Sequence, residues 1–251
     1  MSGHSKWHTI KRAKGKADAA RGRLFNRLIR EITVAARMGG GDINGNPRLR
    51  AAVTSARTSN MPSKNIETAI KKGTGELEGV SYEEVAFEGY APGGVALIMD
   101  CLTDNRNRTV SEVRHVLEKH GGTLGATNSV GYMFKTKGVI VINKAAIAED
   151  ALMELVLEAG AEDMVTEDDE YVVTTPFDAF IQVKEAIEKK SIPTVTAEIR
   201  KIADMPKRVE GDAALKVLKT IEALDELDDL QNVHHNAEFS DKDLEAYQAA
   251  S

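Results

Sequence analysis

Apolar residues recur along this chain with two different periods, and the change falls near Gly79. Ahead of it, Leu24, Leu28, Ile32 and Ala35 follow the i, i+4, i+8, i+11 spacing of one helix face, with Ile29 and Ala36 alongside. Gly39 to Gly41 should end that helix. The stretch "NPRLRAAVTSAR" predicts a second, with Asn46 as N-cap, Pro47 at the first helical position, and Leu49, Ala52, Val53 and Ala56 inward. A third is predicted from Pro62 to Lys72, burying Ile66, Ala69 and Ile70 and closing on Gly73 as C-cap. Residues 1–78 thus read as a basic arm followed by a small helical bundle.

Beyond Gly79, strand patterns alternate with helical ones. "YEEVAFEGYAP" alternates as a half-buried strand does, and "VALIMDCL" is the nearly continuous apolar run of a central strand. A helix follows to Gly121, with Thr109 and Glu112 at capping-box spacing. From Tyr132 the order is strand, helix, hairpin, helix, strand, the βαββαβ succession of a ferredoxin-like sandwich. Downstream, "EGDAALKVLKTIEALDEL" reads as a helix and "LQNVHHNAEF" as a strand, the pieces that residues 79–131 lack. The fold class expected is therefore α+β, an N-terminal basic helical bundle followed by two ferredoxin-like α/β domains. Residues 79–131 and 206–240 form one of them, residues 132–205 are inserted into it, and residues 241–251 form a C-terminal tail.

Charge changes this picture more than composition does. The 251 residues carry a net charge of −6, yet residues 1–72 hold sixteen cations against four anions, and the remainder seventeen against thirty-five. A cationic module on an acidic body points to a polyanion ligand. At 100° per residue, Arg23, Arg27, Arg30 and Arg37 share an arc of about 80° opposite the apolar stripe. Apart from Glu31, four positions after Arg27, local i, i+4 anions that would neutralise this face are lacking. The arm adds Lys6, Lys11, Arg12, Lys14, Lys16 and Arg21, with Trp7 as a residue able to stack on a base or pack on the bundle. Arg48 and Arg50 extend the cationic set onto the second helix, and "DNRNR" places Arg106 and Arg108 where a strand leads into a helix N-terminus that favours anions. These fifteen residues are the candidate nucleic-acid contacts.

Other chemistries find no support. Cys101 sits within an apolar strand and reads as a buried small side chain rather than a nucleophile. His4 with His8, and His234 with His235, lack the companions of a zinc site, and the acid run Glu167 to Glu170 reads as a solvated turn. Neither glycine-rich phosphate loop occurs. No enzyme, cofactor or metal is expected. A single cysteine, the lack of a secretion signal and the absence of an apolar run of roughly 20 residues point to a cytoplasmic protein with no membrane partner.

"GHSKW", "GRLFNRLIREI", "GGGDINGNPRLRAAV", "NMPSKNIETAIKKG", "EGYAPGGVALIMDCLTDNRNRT", "EVRHVLEKHGG" and "QNVHHNAE" together resemble the YebC/PmpR family, which is similar to the mitochondrial translational activator of cytochrome c oxidase. The resemblance spans nearly the whole chain. It implies a helical domain plus two α/β domains, one inserted in the other, and either DNA-binding transcriptional regulation or assistance to ribosomes at proline stretches. Ala91 and His234 depart from the family's usual glycine and aromatic. Three functions stay open: a DNA-binding regulator, a translation factor bound to ribosomal RNA, and a protein-interaction scaffold with no catalysis. In the first two the acidic α/β domains are left to meet the ribosome or other proteins.

Overall fold

Helix α1 (Ala17–Gly39) is the long element of the N-terminal unit, and α2 (Pro47–Thr58) and α3 (Ser63–Thr74) pack against it. These coordinates are a computed structural model describing residues 17–167 and 169–249. Twenty-three residues span about 34 Å, and twelve span only about 18 Å. The short helices therefore cover just the C-terminal half of α1. Ile32, Ala35 and Ala36 are buried there, whereas Leu24, placed inward by the apolar stripe, is 43% exposed. The helix also starts six residues before Arg23, so the segment read as an arm is helical from Ala17; Lys6, Trp7, Lys11, Arg12, Lys14 and Lys16 lie outside the described residues.

Asn46 serves two helices at once. Its Oδ1 accepts from the Leu49 N–H at 3.1 Å, capping α2, while its Nδ2 donates to the carbonyls of Ala35 and Gly40 at 2.8 and 2.9 Å, closing the end of α1. Gly73 does not cap α3 as its position suggests. It lies inside the helix, where an added Cβ would fall 2.4 Å from the Thr33 carbonyl oxygen and 2.7 Å from the Ala36 Cβ. Only glycine admits that approach of α3 to α1, and the cap passes to Gly75 with φ of 84°.

The second unit is a four-stranded antiparallel sheet. Strand β1 (Glu83–Ala91) turns through Pro92–Gly94 into β2 (Val95–Thr103); α4 (Arg106–Lys119) crosses to β3 (Thr123–Leu124). After an excursion the chain returns through α7 (Gly211–Asp225) to β9 (Leu230–His235), giving the order β3-β1-β2-β9. This is the ferredoxin-like order with its middle hairpin strand supplied from the beginning of the unit instead of from its centre. The excursion contains β4 (Phe134–Asn143), α5 (Glu149–Glu158), β5 (Asp163–Thr166), β6 (Glu170–Pro176), α6 (Phe180–Lys189) and β7 (Thr196–Ala203). Its sheet, β5-β6-β4-β7, is antiparallel throughout, again ferredoxin-like. The architecture is α+β, helices first and two sheets after.

Three details differ from the sequence reading. "LQNVHHNAEF" divides at Asn236, because β10 (Ala237–Phe239) leaves the sheet to pair in parallel with β8 (Lys207–Val209). Asn236 causes the break: its Oδ1 and N–H both engage Ala96, and its carbonyl accepts from the Lys207 N–H. Residues 241–249, read as a tail, form helix α8 (Asp241–Ala249), with Leu244 and Tyr247 buried in the core of the first sheet. Thr109 is not a capping residue; Asn105 caps α4 through the Arg108 N–H at 3.0 Å. Entry to the excursion is clamped by Glu88, whose carboxylate accepts the N–H groups of Asn128, Val130 and Gly131 at 2.7–2.8 Å.

Replacing Asn46 by alanine removes a cap from α2 and two bonds from the end of α1, and should cost about 2 kcal/mol in urea unfolding. Gly73→Ala should cost about 1–3 kcal/mol by forcing α1 and α3 apart, and stability equal to wild type would contradict the close approach.

Candidate nucleic-acid interface

The arginine arc of α1 exists, and most of it faces the protein's own acids. Arg27 Nη1 lies 3.0 Å from Asp225 Oδ1, and its Nη2 donates to the Asp225 carbonyl at the end of α7. Arg30 Nη1 reaches Asp229 Oδ1 at 2.6 Å, the Asp228 carbonyl at 2.5 Å and the Leu102 carbonyl at 3.2 Å, and its guanidinium sits 5.4 Å from the centre of the Tyr82 ring. Arg23 stands 4.0 Å from Glu226, and Arg37 donates to the Ser81 hydroxyl. The neutralising anions missing within the helix come from about 200 positions away. The negative end of the α7 dipole lies at the same place.

Asp229 is the centre of this arrangement. Its side chain is 2% exposed and accepts from Arg30 and Arg108 at 2.6 and 2.7 Å and from Thr109 and Thr103 at 2.6 and 3.1 Å. Burial pushes its carboxyl up, but the bonds from Thr109 and Arg108, the charge of Arg30 and the Thr103 hydroxyl outweigh that and hold it below the ordinary carboxylate range. Two stretches expected to meet phosphate separately, the α1 face and "DNRNR", thus converge on one carboxylate. Arg108 is further held by Asp104 at 2.7 Å; Arg106, at the first turn of α4, is exposed.

Arg48 is also engaged. It makes a forked contact with Glu31 at 2.6 and 3.0 Å and another with Glu84 at 2.5 Å, which raises its proton affinity further. Arg50 reaches only the Asn44 carbonyl at 3.4 Å. Within the helical unit, the exposed cations without a carboxylate partner among the described residues are Arg21, Arg50, Arg57, Lys64, Lys71 and Lys72, with Arg37 bound only to a hydroxyl. Arg50 and Arg57, like Lys64 and Lys71, are seven apart, and each pair shares a helix face. The last four of those six were not singled out from the sequence, although their spacing carried the signal. Nor was the acid-rich turn "DELDDL" at 225–230.

The other candidates fall within the α/β units. Cys101 is 3% exposed, and burial pushes its thiol up to about 12. His234 joins the two sheets. Its Nε2 lies 3.1 Å from Asp100 Oδ2, Lys201 Nζ lies 2.6 Å from Asp100 Oδ1, and the Lys201 N–H points at His234 Nδ1 at 3.4 Å. A cleft of about 230 Å³ opens beside it, lined by apolar Val139, Val141 and Val172 and by polar Arg200, Lys201 and Asn236.

The structure suggests two solution measurements. Asp229 titrates lower folded than unfolded, so its contribution is complete above the unfolded value of about 3.9 and is lost as pH falls through the folded one. Stability measured from pH 5 downward should therefore fall more steeply for wild type than for Asp229→Asn. Cys101 should resist a thiol reagent at pH 8 and react at once in denaturant; rapid labelling of the folded protein would contradict its burial.

Comparison with known proteins places this geometry. Residues 5–76 match the family model described as the TACO1/YebC protein N-terminal domain, and residues 82–237 match that of the TACO1/YebC second and third domain. A probable transcriptional regulatory protein of Geobacter sulfurreducens is 54% identical over 98% of this chain and 99% of its own length. Another, from Desulforapulum autotrophicum, is 53% identical over 98% of this chain and all of its own. The crystal structure of a conserved hypothetical protein from Aquifex aeolicus superposes with a TM-score of 0.82 at 48% identity, covering 91% of this chain and 94% of that one. Full-length identity, both family matches and the shared fold agree: this chain belongs to the TACO1/YebC family.

Proposed function

We propose that this protein is a non-catalytic, nucleic-acid-binding regulator of gene expression that holds the phosphate backbone with its N-terminal unit. One observation carries the reading: α2 and α3 present Arg50, Arg57, Lys64, Lys71 and Lys72 to solvent without carboxylate partners among the described residues, within a segment of twelve excess positive charges. Cations left unpaired on a folded surface attract a polyanion by displacing its condensed counterions. The arm residues Lys6, Lys11, Arg12, Lys14 and Lys16 add charge, and Trp7 a stacking surface. The names of the bacterial relatives favour transcriptional regulation through DNA.

A second reading, binding to ribosomal RNA during translation, draws on the placement of Arg27 and Arg30. A major-groove reader needs a free helix face bearing Arg and Asn or Gln, and most of the α1 arginine face is occupied. Exposed lysines and arginines on short helices suit an irregular RNA surface better. The acidic sheets remain available to protein partners in either case.

Changing Arg50, Arg57, Lys64 and Lys71 together to glutamate should weaken binding to a 20-nucleotide RNA or a 20-base-pair duplex by more than about tenfold. Wild-type affinity should fall linearly with the logarithm of salt, by about 0.7 to 0.9 per phosphate contact. Binding unaffected by the reversal would reject the helical unit as the contact. Crosslinking in cells, followed by sequencing, separates the readings: promoter DNA supports the first and ribosomal RNA the second.

A further inference from the structure

We propose that Arg27 and Arg30 form a latent phosphate-binding site, closed here by the Asp225–Asp229 turn, which occupies it as an internal stand-in for a nucleic-acid backbone. The inference rests on the phosphate reading above and adds its regulation.

The ligands of the two guanidiniums are what a backbone would supply. Arg27 and Arg30 meet two carboxylates, and they also meet the carbonyl oxygens of Asp225, Asp228 and Leu102. Every hydrogen-bond partner is a carboxylate or carbonyl oxygen, and all but the Leu102 carbonyl lie where the chain leaves the negative end of α7. Arg27 spreads its two terminal nitrogens over two oxygens of Asp225, and arginine forks bind two oxygens of a phosphate in a similar way.

The contact is also built to separate. The apolar cluster of the helical unit and that of the first sheet share no residue. The side-chain bonds that join the units are polar, Arg23–Glu226, Arg27–Asp225, Arg30–Asp229, Arg37–Ser81 and Arg48–Glu84, with Arg30 over the Tyr82 ring and Val34 buried on the same face of α1. Ion pairs of this kind weaken with salt and contribute little of the burial that makes a docking permanent. The connector, residues 75–81, is exposed and belongs to no helix or strand.

Withdrawal of Arg30 would not strand a buried charge, because Asp229 keeps Arg108, Thr103 and Thr109, all within the α/β unit. Asp225 is 19% exposed at its side chain and can take water in place of Arg27. Unpaired buried charge is what makes most such clamps irreversible, and here the body has a second set of partners ready. Phosphate and the acidic turn therefore compete for the same two arginines, and the apparent affinity for nucleic acid is lowered by the fraction of molecules held closed.

The test uses the full chain and a fluorescent 20-nucleotide single-stranded RNA, followed by anisotropy. Asp225→Asn should bind about 3- to 10-fold more tightly than wild type. Glu245→Gln, an exposed acid removed with the same change in net charge, should bind as wild type does. Adding Arg27→Ala to Asp225→Asn should abolish the gain. Affinity of Asp225→Asn equal to wild type or to Glu245→Gln, or a gain that survives Arg27→Ala, overturns the latent site while leaving the exposed helices as the contact. A wild type that binds no RNA or duplex DNA overturns the phosphate reading itself and the latent site with it. Hydrogen exchange on wild type gives a check free of mutation: RNA should speed exchange across residues 225–230, and unchanged or slower exchange would refute opening.

Discussion

Asp229 is a carboxylate buried almost completely and surrounded by two guanidiniums and two hydroxyls, and the placement of the helical unit on the sheets turns on it. A lone buried charge would be prohibitive; four donors make it tolerable and fix its position. Its backbone carbonyl also accepts from the Leu102 N–H, so the turn after α7, the end of β2 and the start of α4 are registered against one another. Arg30 joins that assembly from outside. The helical unit is thereby attached to the sheets by charge, at a point where the sheets are already satisfied.

That division of labour explains the unusual distribution of charge. Each unit has its own apolar cluster, and a smaller one, Ala96, Ile98 and Val130 with Tyr90, Met133 and Phe134, links the first sheet to the start of the second. Polar groups add further contacts between units: arginines to the acidic turn, Glu88 to the N–H groups leading into the excursion, and Asp100, Lys201 and His234 between the two sheets. A positive helical unit on a negative body is held electrostatically by default, and a stronger polyanion can contend for the same cations.

Much of the fold was legible in the chain. Period-3.6 stripes marked the helices and Asn46–Pro47 marked a helix start, because those signals are local and no distant contact overrides them. The succession of elements after Tyr132 identified the inserted sandwich. What misled were signals whose meaning depends on a neighbour. Gly73 looks like a helix cap until α1 is seen 2.4 Å from where its Cβ would be. Thr109 has the spacing of a capping box, yet its hydroxyl is drawn to Asp229, 120 residues on. Leu24 fits the apolar stripe, but α2 and α3 are too short to reach it.

By itself the sequence determined the family, the α+β class and the fact that an excess of cations sits at the N-terminus, since composition and period survive without three-dimensional context. Only the tertiary structure decided which of those cations are available. Arg27, Arg30 and Arg108 are held by acids more than 100 positions away and Arg48 by Glu31 and Glu84, while Arg50, Arg57, Lys64, Lys71 and Lys72 stand exposed. The physical reason is that a charge is neutralised by whatever lies within a few ångströms, and folding, not sequence separation, sets that distance.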